Sequence, residues 1–139
     1  MYKGFKEDID KFNRTYGIKE FKGPTDLGCD RLVNFKNILQ EELNEYEDIR
    51  DLYSTGEGEL EILTAVSDWL GDIIVYVASE AKRWGLPIGD ILKIIMESNY
   101  SKLDSEGNPI IDGRGKVLKG PNYWKPEPKI KELLLERLK

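Results

Sequence analysis

Glu41, Glu42 and Glu45 fall within about one helical turn of each other in the stretch Gln40-Glu41-Glu42-Leu43-Asn44-Glu45. Residues three or four apart share one face of an α-helix, so the three carboxylates crowd together. Like charges at that spacing cost roughly a few tenths of a kcal/mol in an isolated helix. Here the cluster sits among Ile38, Leu39, Leu43, Tyr46 and Ile49, where repulsion is larger and a cation relieves it. A second acidic turn, Asp68 and Asp72, lies inside the apolar run from Ile62 to Val77. Buried charges are expensive unless paired or metal-bound. Two such turns on facing helices make an all-oxygen site for a hard divalent cation such as Mg²⁺ or Mn²⁺, with Glu42 and Glu45 as one pair and Asp68 and Asp72 as the other. Pairing with lysine is the competing way to neutralise them.

A basic segment follows. Lys102, Lys116 and Lys119, with Arg114 nearby, stand in chain rich in glycine. Ammonium groups and free backbone N–H groups suit phosphate, although lysines in such loops also serve simply as solvated charge. Acidic metal ligands and a basic phosphate contact are the two halves of a nucleoside triphosphate pocket. Tyr100, Tyr123 and Trp124 offer rings for stacking a base or for anchoring the tail. Asn99 and Asn122 can read base edges or cap and turn the chain. Trp69 and Trp84 read as core residues, and Cys29 as a small apolar residue.

The composition narrows the classes. The chain has 139 residues, 26 acidic against 21 basic, and a net charge of −5. That balance disfavours a nucleic-acid polymer as partner. Histidine is absent, so Ser-His and Cys-His catalysis and the usual zinc sites are excluded. The single cysteine rules out an internal disulfide and fits a reducing compartment. No signal peptide and no uncharged apolar run of about 18 residues is present. The expectation is a cytoplasmic protein with no membrane partner.

The elements that position these residues follow from periodicity. Apolar spacing predicts helices over about 4–16, 26–53, 59–84, 87–98 and 127–138, with Thr25 or Asp26 capping the second. The third is apolar almost all round and is expected at the centre of the core. Between the last two helices, Pro109-Ile110-Ile111 and Lys116-Val117-Leu118 are the arms of a possible small hairpin. The fold class expected is all-α: one domain over 1–139, a four-helix-bundle-like core at about 26–103, a Gly/Lys-rich phosphate-contacting segment at about 99–126, and a tail helix.

Taken in order, these motifs resemble the all-α nucleoside triphosphate pyrophosphohydrolases: MazG-like proteins, dimeric dUTPases and phosphoribosyl-ATP pyrophosphohydrolases. Glu41-Glu42-Leu43-Asn44-Glu45 matches the family's Glu-Glu-x-x-Glu turn. Asp72 and the apolar Ile73-Ile74-Val75-Tyr76-Val77 match the end of its second acidic turn. The acid three residues earlier is replaced by Trp69, and Asp68 stands one position before it on the same helical face. Asn99-Tyr100-Ser101-Lys102 and Gly115-Lys116-Val117-Leu118-Lys119-Gly120-Pro121-Asn122-Tyr123 are similar to the C-terminal segments of MazG-like proteins. The resemblance covers roughly residues 30–128.

It implies hydrolysis of the α–β phosphoanhydride of a (deoxy)nucleoside triphosphate to the monophosphate and pyrophosphate, as in housecleaning of the nucleotide pool. It implies Mg²⁺, with Mn²⁺ as substitute, on Glu42, Glu45, Asp68 and Asp72. With no histidine, a carboxylate takes the proton of the attacking water, Glu41 first and Glu42 second. Asn99 and Lys102 contact the nucleotide, and Lys116, Lys119 and Tyr123 close the pocket. A homodimer or homotetramer is implied, because a single helical unit leaves apolar surface open. The alternatives are a non-catalytic helical nucleotide-binding or protein-interaction module, and phosphoribosyl-ATP hydrolysis.

Overall fold

A run of 25 residues with one glycine and no proline coils without interruption from Glu59 to Arg83, and the first part of the chain is built against it. The structure, a computed structural model, describes residues 1–138. The fold is all-α, with six helices and no strand among the described residues. In chain order they are α1 (Phe5–Thr15), α2 (Cys29–Asn44), α3 (Tyr46–Ser54), α4 (Glu59–Arg83), α5 (Ile88–Tyr100) and α6 (Glu127–Arg137).

The chain divides into two compact units, Met1–Gly85 and Leu86–Lys139. In the first, α1, α2 and α3 all pack on α4. Its buried apolar side chains are few and mostly small: Ile9, Ala78 and Ala81. A buried polar link joins α1 to α4, where the wholly buried Asn13 donates to the Ser79 carbonyl at 3.3 Å and accepts from the Ser79 hydroxyl at 2.6 Å. Gly85 closes α4 with φ +66°, and a Cβ there would stand 2.0 Å from the Gly23 carbonyl oxygen. Only glycine lets the loop before α2 lie that close. The Thr25 N–H then donates to the Trp84 carbonyl at 2.8 Å.

Two expectations need correction. The second helix is not continuous over 26–53. Asp26 is used in the loop, its carboxylate accepting from Gly28 N–H at 2.8 Å, so coiling begins at Cys29. The helix gives way at Glu45, where N–H groups bond three residues back, Glu45 to Glu42 at 3.2 Å and Asp48 to Glu45 at 3.1 Å. Nor is the middle of α4 a covered core. Leu60, Leu63, Leu70 and Ile74 are 72, 54, 49 and 40% exposed. Three short neighbours cover one side of a 25-residue helix and leave the other side bare.

In the second unit, α5 packs with α6, Ile91 is buried, and Arg137 pairs with Asp90 at 2.7 Å. The hairpin between them forms as a single antiparallel bridge, Ile111 to Val117, extended by Leu118 N–H to Ile110 carbonyl at 2.8 Å. The Asp112 carboxylate organises its turn by accepting from the N–H groups of Arg114 and Lys116.

Candidate active site

The inner face of α2 meets α4 along its length, and Glu42 falls on that face. Its side chain is 8% exposed, and its Oε1 is buried without a hydrogen-bond partner. Burial pushes the Glu42 carboxyl above the usual range, and the charges of Glu45, Asp72 and Asp68 add to the effect. The backbone at this residue is held as well: its carbonyl accepts the Trp69 indole N–H at 2.9 Å.

The other predicted acids gather around it with a different exposure. Glu45, Asp68 and Asp72 are exposed, and Asp72 lines the same cleft as Glu42. Glu41 is exposed and does not line it. Among the described residues no three carboxylates already converge on a single point close enough to hold an ion. The donor set still suits a hard cation. All four groups supply oxygen, Glu42 has an unsatisfied buried oxygen, and a cation between the helices would relieve the crowding of negative charge.

The cleft has a volume of about 340 Å³. Phe12, Phe35, Ile38, Val75 and Tyr76 give it apolar walls. Its other end is cationic. Arg31 on α2 donates from Nε to Glu80 Oε2 at 3.0 Å, and its Nη2 donates to Glu80 Oε1. Arg83 Nε lies 3.5 Å from the same carboxylate, and Trp84 Nε1 donates to it at 2.7 Å. Two guanidinium groups therefore share one buried carboxylate, leaving this end one positive charge in excess. Burial and the neighbouring Arg31 lower the Arg83 pKa, while the paired Arg31 is raised by its bond to Glu80.

In the second unit the ammonium groups of Lys102 and Lys119 stand over the Tyr123 ring, 5.9 and 5.2 Å from its centre. Gly120 makes this convergence possible. Its N–H donates to the Lys102 carbonyl at 2.8 Å, and a Cβ there would lie 2.0 Å from the Leu103 oxygen. The buried Ser98 hydroxyl donates to the Trp124 carbonyl at 2.8 Å, tying the end of the segment to α5. Asn99 is exposed near the end of α5. Lys116 is exposed on the hairpin, its backbone rather than its side chain engaged with Asp112.

No family model matches the sequence. No curated protein matches it. Among solved structures, the chain is similar to a "putative NTP pyrophosphohydrolase" from Exiguobacterium sp. 255-15, at 20% identity and a TM-score of 0.47, over 95% of this chain and 94% of that one. A likeness of that degree says nothing of which residues act.

Sequence reasoning missed Arg31, Glu80 and Arg83. A signal was present: Glu80 is an acid beside the buried Ala78 and Ala81, with Arg83 three residues on and Trp84 four. Its principal partner is on another helix, 49 positions away, which no local pattern reveals.

Proposed function

We propose that the protein is a divalent-metal-dependent nucleotide pyrophosphohydrolase, cleaving the α–β anhydride of a nucleoside or deoxynucleoside triphosphate. The observation that supports this most is Glu42: a buried carboxylate with an orphaned oxygen, in the field of three more acids, opening on a cleft. Such a group is costly in a protein that has no use for it.

Glu42, Glu45, Asp68 and Asp72 are the residues proposed to hold Mg²⁺ or Mn²⁺. The bound ion neutralises phosphate charge and acidifies a coordinated water. Glu41 and Glu42 are the candidates for taking the water's proton. Of the two, Glu42 lines the cleft and has its affinity for a proton raised by burial. Lys102, Lys119 and Asn99 are proposed as nucleotide contacts, with Tyr123 as the ring that positions the two ammonium groups and Lys116 in a weaker role. The open side of α4 is proposed to pack on a second copy of the chain. Spanning a bilayer suits α4 poorly, because Asp68 and Asp72 sit in the middle of the helix, each costing about 2.5–3.5 kcal/mol to insert at a bilayer centre. A cytoplasmic role in clearing unwanted nucleotides is consistent with this reading.

The test is pyrophosphate release from the eight common ribo- and deoxyribonucleoside triphosphates, with Mg²⁺ or Mn²⁺. Release that is lost in a Glu45→Ala, Asp72→Ala double variant is the expected result. Thermal stabilisation by nucleotide without turnover would mark a binding module instead, and full activity in the double variant would overturn the proposal.

A further inference from the structure

The cleft changes chemical character along its length in the order of the groups in a nucleotide. Along α2, Phe35 falls between Arg31 and Glu42, and along α4, Tyr76 falls between Asp72 and Arg83, so aromatic rings separate an acidic end from a basic one; Phe12 of α1 lines the same cleft. Eleven residues of α4 separate Asp72 from Arg83, about 16 Å along the axis at 1.5 Å per residue. That is beyond the reach of a triphosphate chain gripped at the acidic end. It matches a phosphate–sugar–base span, with the flat base against the apolar walls.

At the far end the two guanidinium groups offer hydrogen-bond donors and no acceptor. Both oxygens of Glu80 are taken: Oε2 by Arg31 Nε and Trp84 Nε1, and Oε1 by Arg31 Nη2 and the nearby Arg83. The carboxylate is also buried. Each guanidinium carries five N–H groups, so after these bonds both arginines retain N–H groups at the cleft. A guanidinium can donate at once to the adjacent O6 and N7 of a 6-oxopurine, or to the O4 of a 4-oxopyrimidine, whereas an exocyclic amine at that position sets donor against donor.

We propose that Arg31 and Arg83 form a base-reading subsite that selects nucleotides whose base carries an oxo group on the edge remote from the sugar, such as hypoxanthine, guanine, uracil or thymine, over the amino bases adenine and cytosine. The inference rests on the reading of the acidic end as the phosphate side, and it names which substrates that enzyme takes.

Inosine and adenosine triphosphates differ only at this edge. Wild-type kcat/KM is expected to be about tenfold or more higher for the inosine nucleotide, and Arg83→Gln is expected to bring the ratio close to one. Equal rates in the wild type overturn the proposal, as does an Arg83→Gln variant in which both substrates slow by the same factor, the mark of a phosphate contact or a purely structural role. If neither these two nor any of the eight common triphosphates is hydrolysed with Mg²⁺ or Mn²⁺, the pyrophosphohydrolase reading falls, and the subsite is read by calorimetry with inosine and adenosine monophosphates and no metal. Tighter binding of the inosine compound upholds the subsite. Equal binding or none overturns it.

Discussion

The Trp69 indole N–H donates to the main-chain carbonyl of Glu42 across 2.9 Å, joining α4 to the point where α2 is about to break. The same carbonyl also accepts from Glu45 N–H at 3.2 Å. One side chain thus pins the turn that carries two of the proposed metal ligands. Trp69→Phe keeps an aromatic ring and removes the donor. Loss of a single partly buried hydrogen bond costs about 1 kcal/mol, visible as a lower urea midpoint. The Mg²⁺ concentration for half-maximal activity is expected to rise as well. A variant that needs no more Mg²⁺ than wild type would reduce Trp69 to a space-filling role.

The Arg31–Glu80 pair clamps α2 to α4 from the other end of the cleft. Arg31→Met strips a buried carboxylate of its bidentate partner and is expected to cost about 3 kcal/mol. Adding Glu80→Leu removes the stranded charge, so the double variant is expected to be more stable than Arg31→Met alone. Chemical denaturation of the four proteins of this cycle measures the coupling. Additive losses would show that the pair is not energetically coupled.

Asp10, Glu20 and Lys82 predict a pH dependence. Burial works to raise Asp10, but Lys82, 2.9 Å away, outweighs it and holds the carboxyl below its usual range. Burial raises Glu20 above its ordinary value of 4.5, and the Asp10 charge beside it adds to the rise. For Glu20 the folded protein holds the proton more tightly than the unfolded chain. Stability therefore falls as pH climbs from the unfolded value through the raised folded one. Asp10 acts oppositely, its contribution being lost only in stronger acid, below its unfolded value of 3.8. Urea midpoints from about pH 4 to about pH 8 are expected to decline for wild type and to decline less steeply for Glu20→Gln, the raised Glu42 carboxyl keeping part of the slope. Parallel profiles would show that Glu20 titrates normally.

How much of this was legible beforehand depends on range along the chain. The apolar spacing around Glu42 put an acid on a buried stripe, and the structure buries it. Asp-Gly turn chemistry located the hairpin. The break at Glu45 has no proline or glycine to announce it; the helix yields where Trp69 from α4 captures a carbonyl, a tertiary event. Arg31 and Glu80 find each other across 49 positions. The apolar middle of α4 read as central core, yet apolarity records only that a surface is to be covered, not whether the cover comes from the same chain.

That uncovered face gives the fourth prediction. Leu63 and Leu70 lie two turns apart on α4, both about half exposed. The wild-type protein is expected to sediment as a dimer or larger, and a Leu63→Glu, Leu70→Glu variant to shift toward monomer while keeping its helical circular dichroism. A monomeric wild type at about 100 μM, well above the Kd of a stable interface, would contradict this.

The central claim is that the acids around Glu42 exist to grip a divalent cation. It is tested most directly by the anomalous scattering of manganese in crystals soaked with Mn²⁺. The account predicts a peak between α2 and α4, within coordinating distance of the Glu42 and Asp72 carboxylates, that disappears in Asp72→Asn. Crystals saturated with Mn²⁺ that show no peak there, with the four carboxylates turned to solvent, would contradict it.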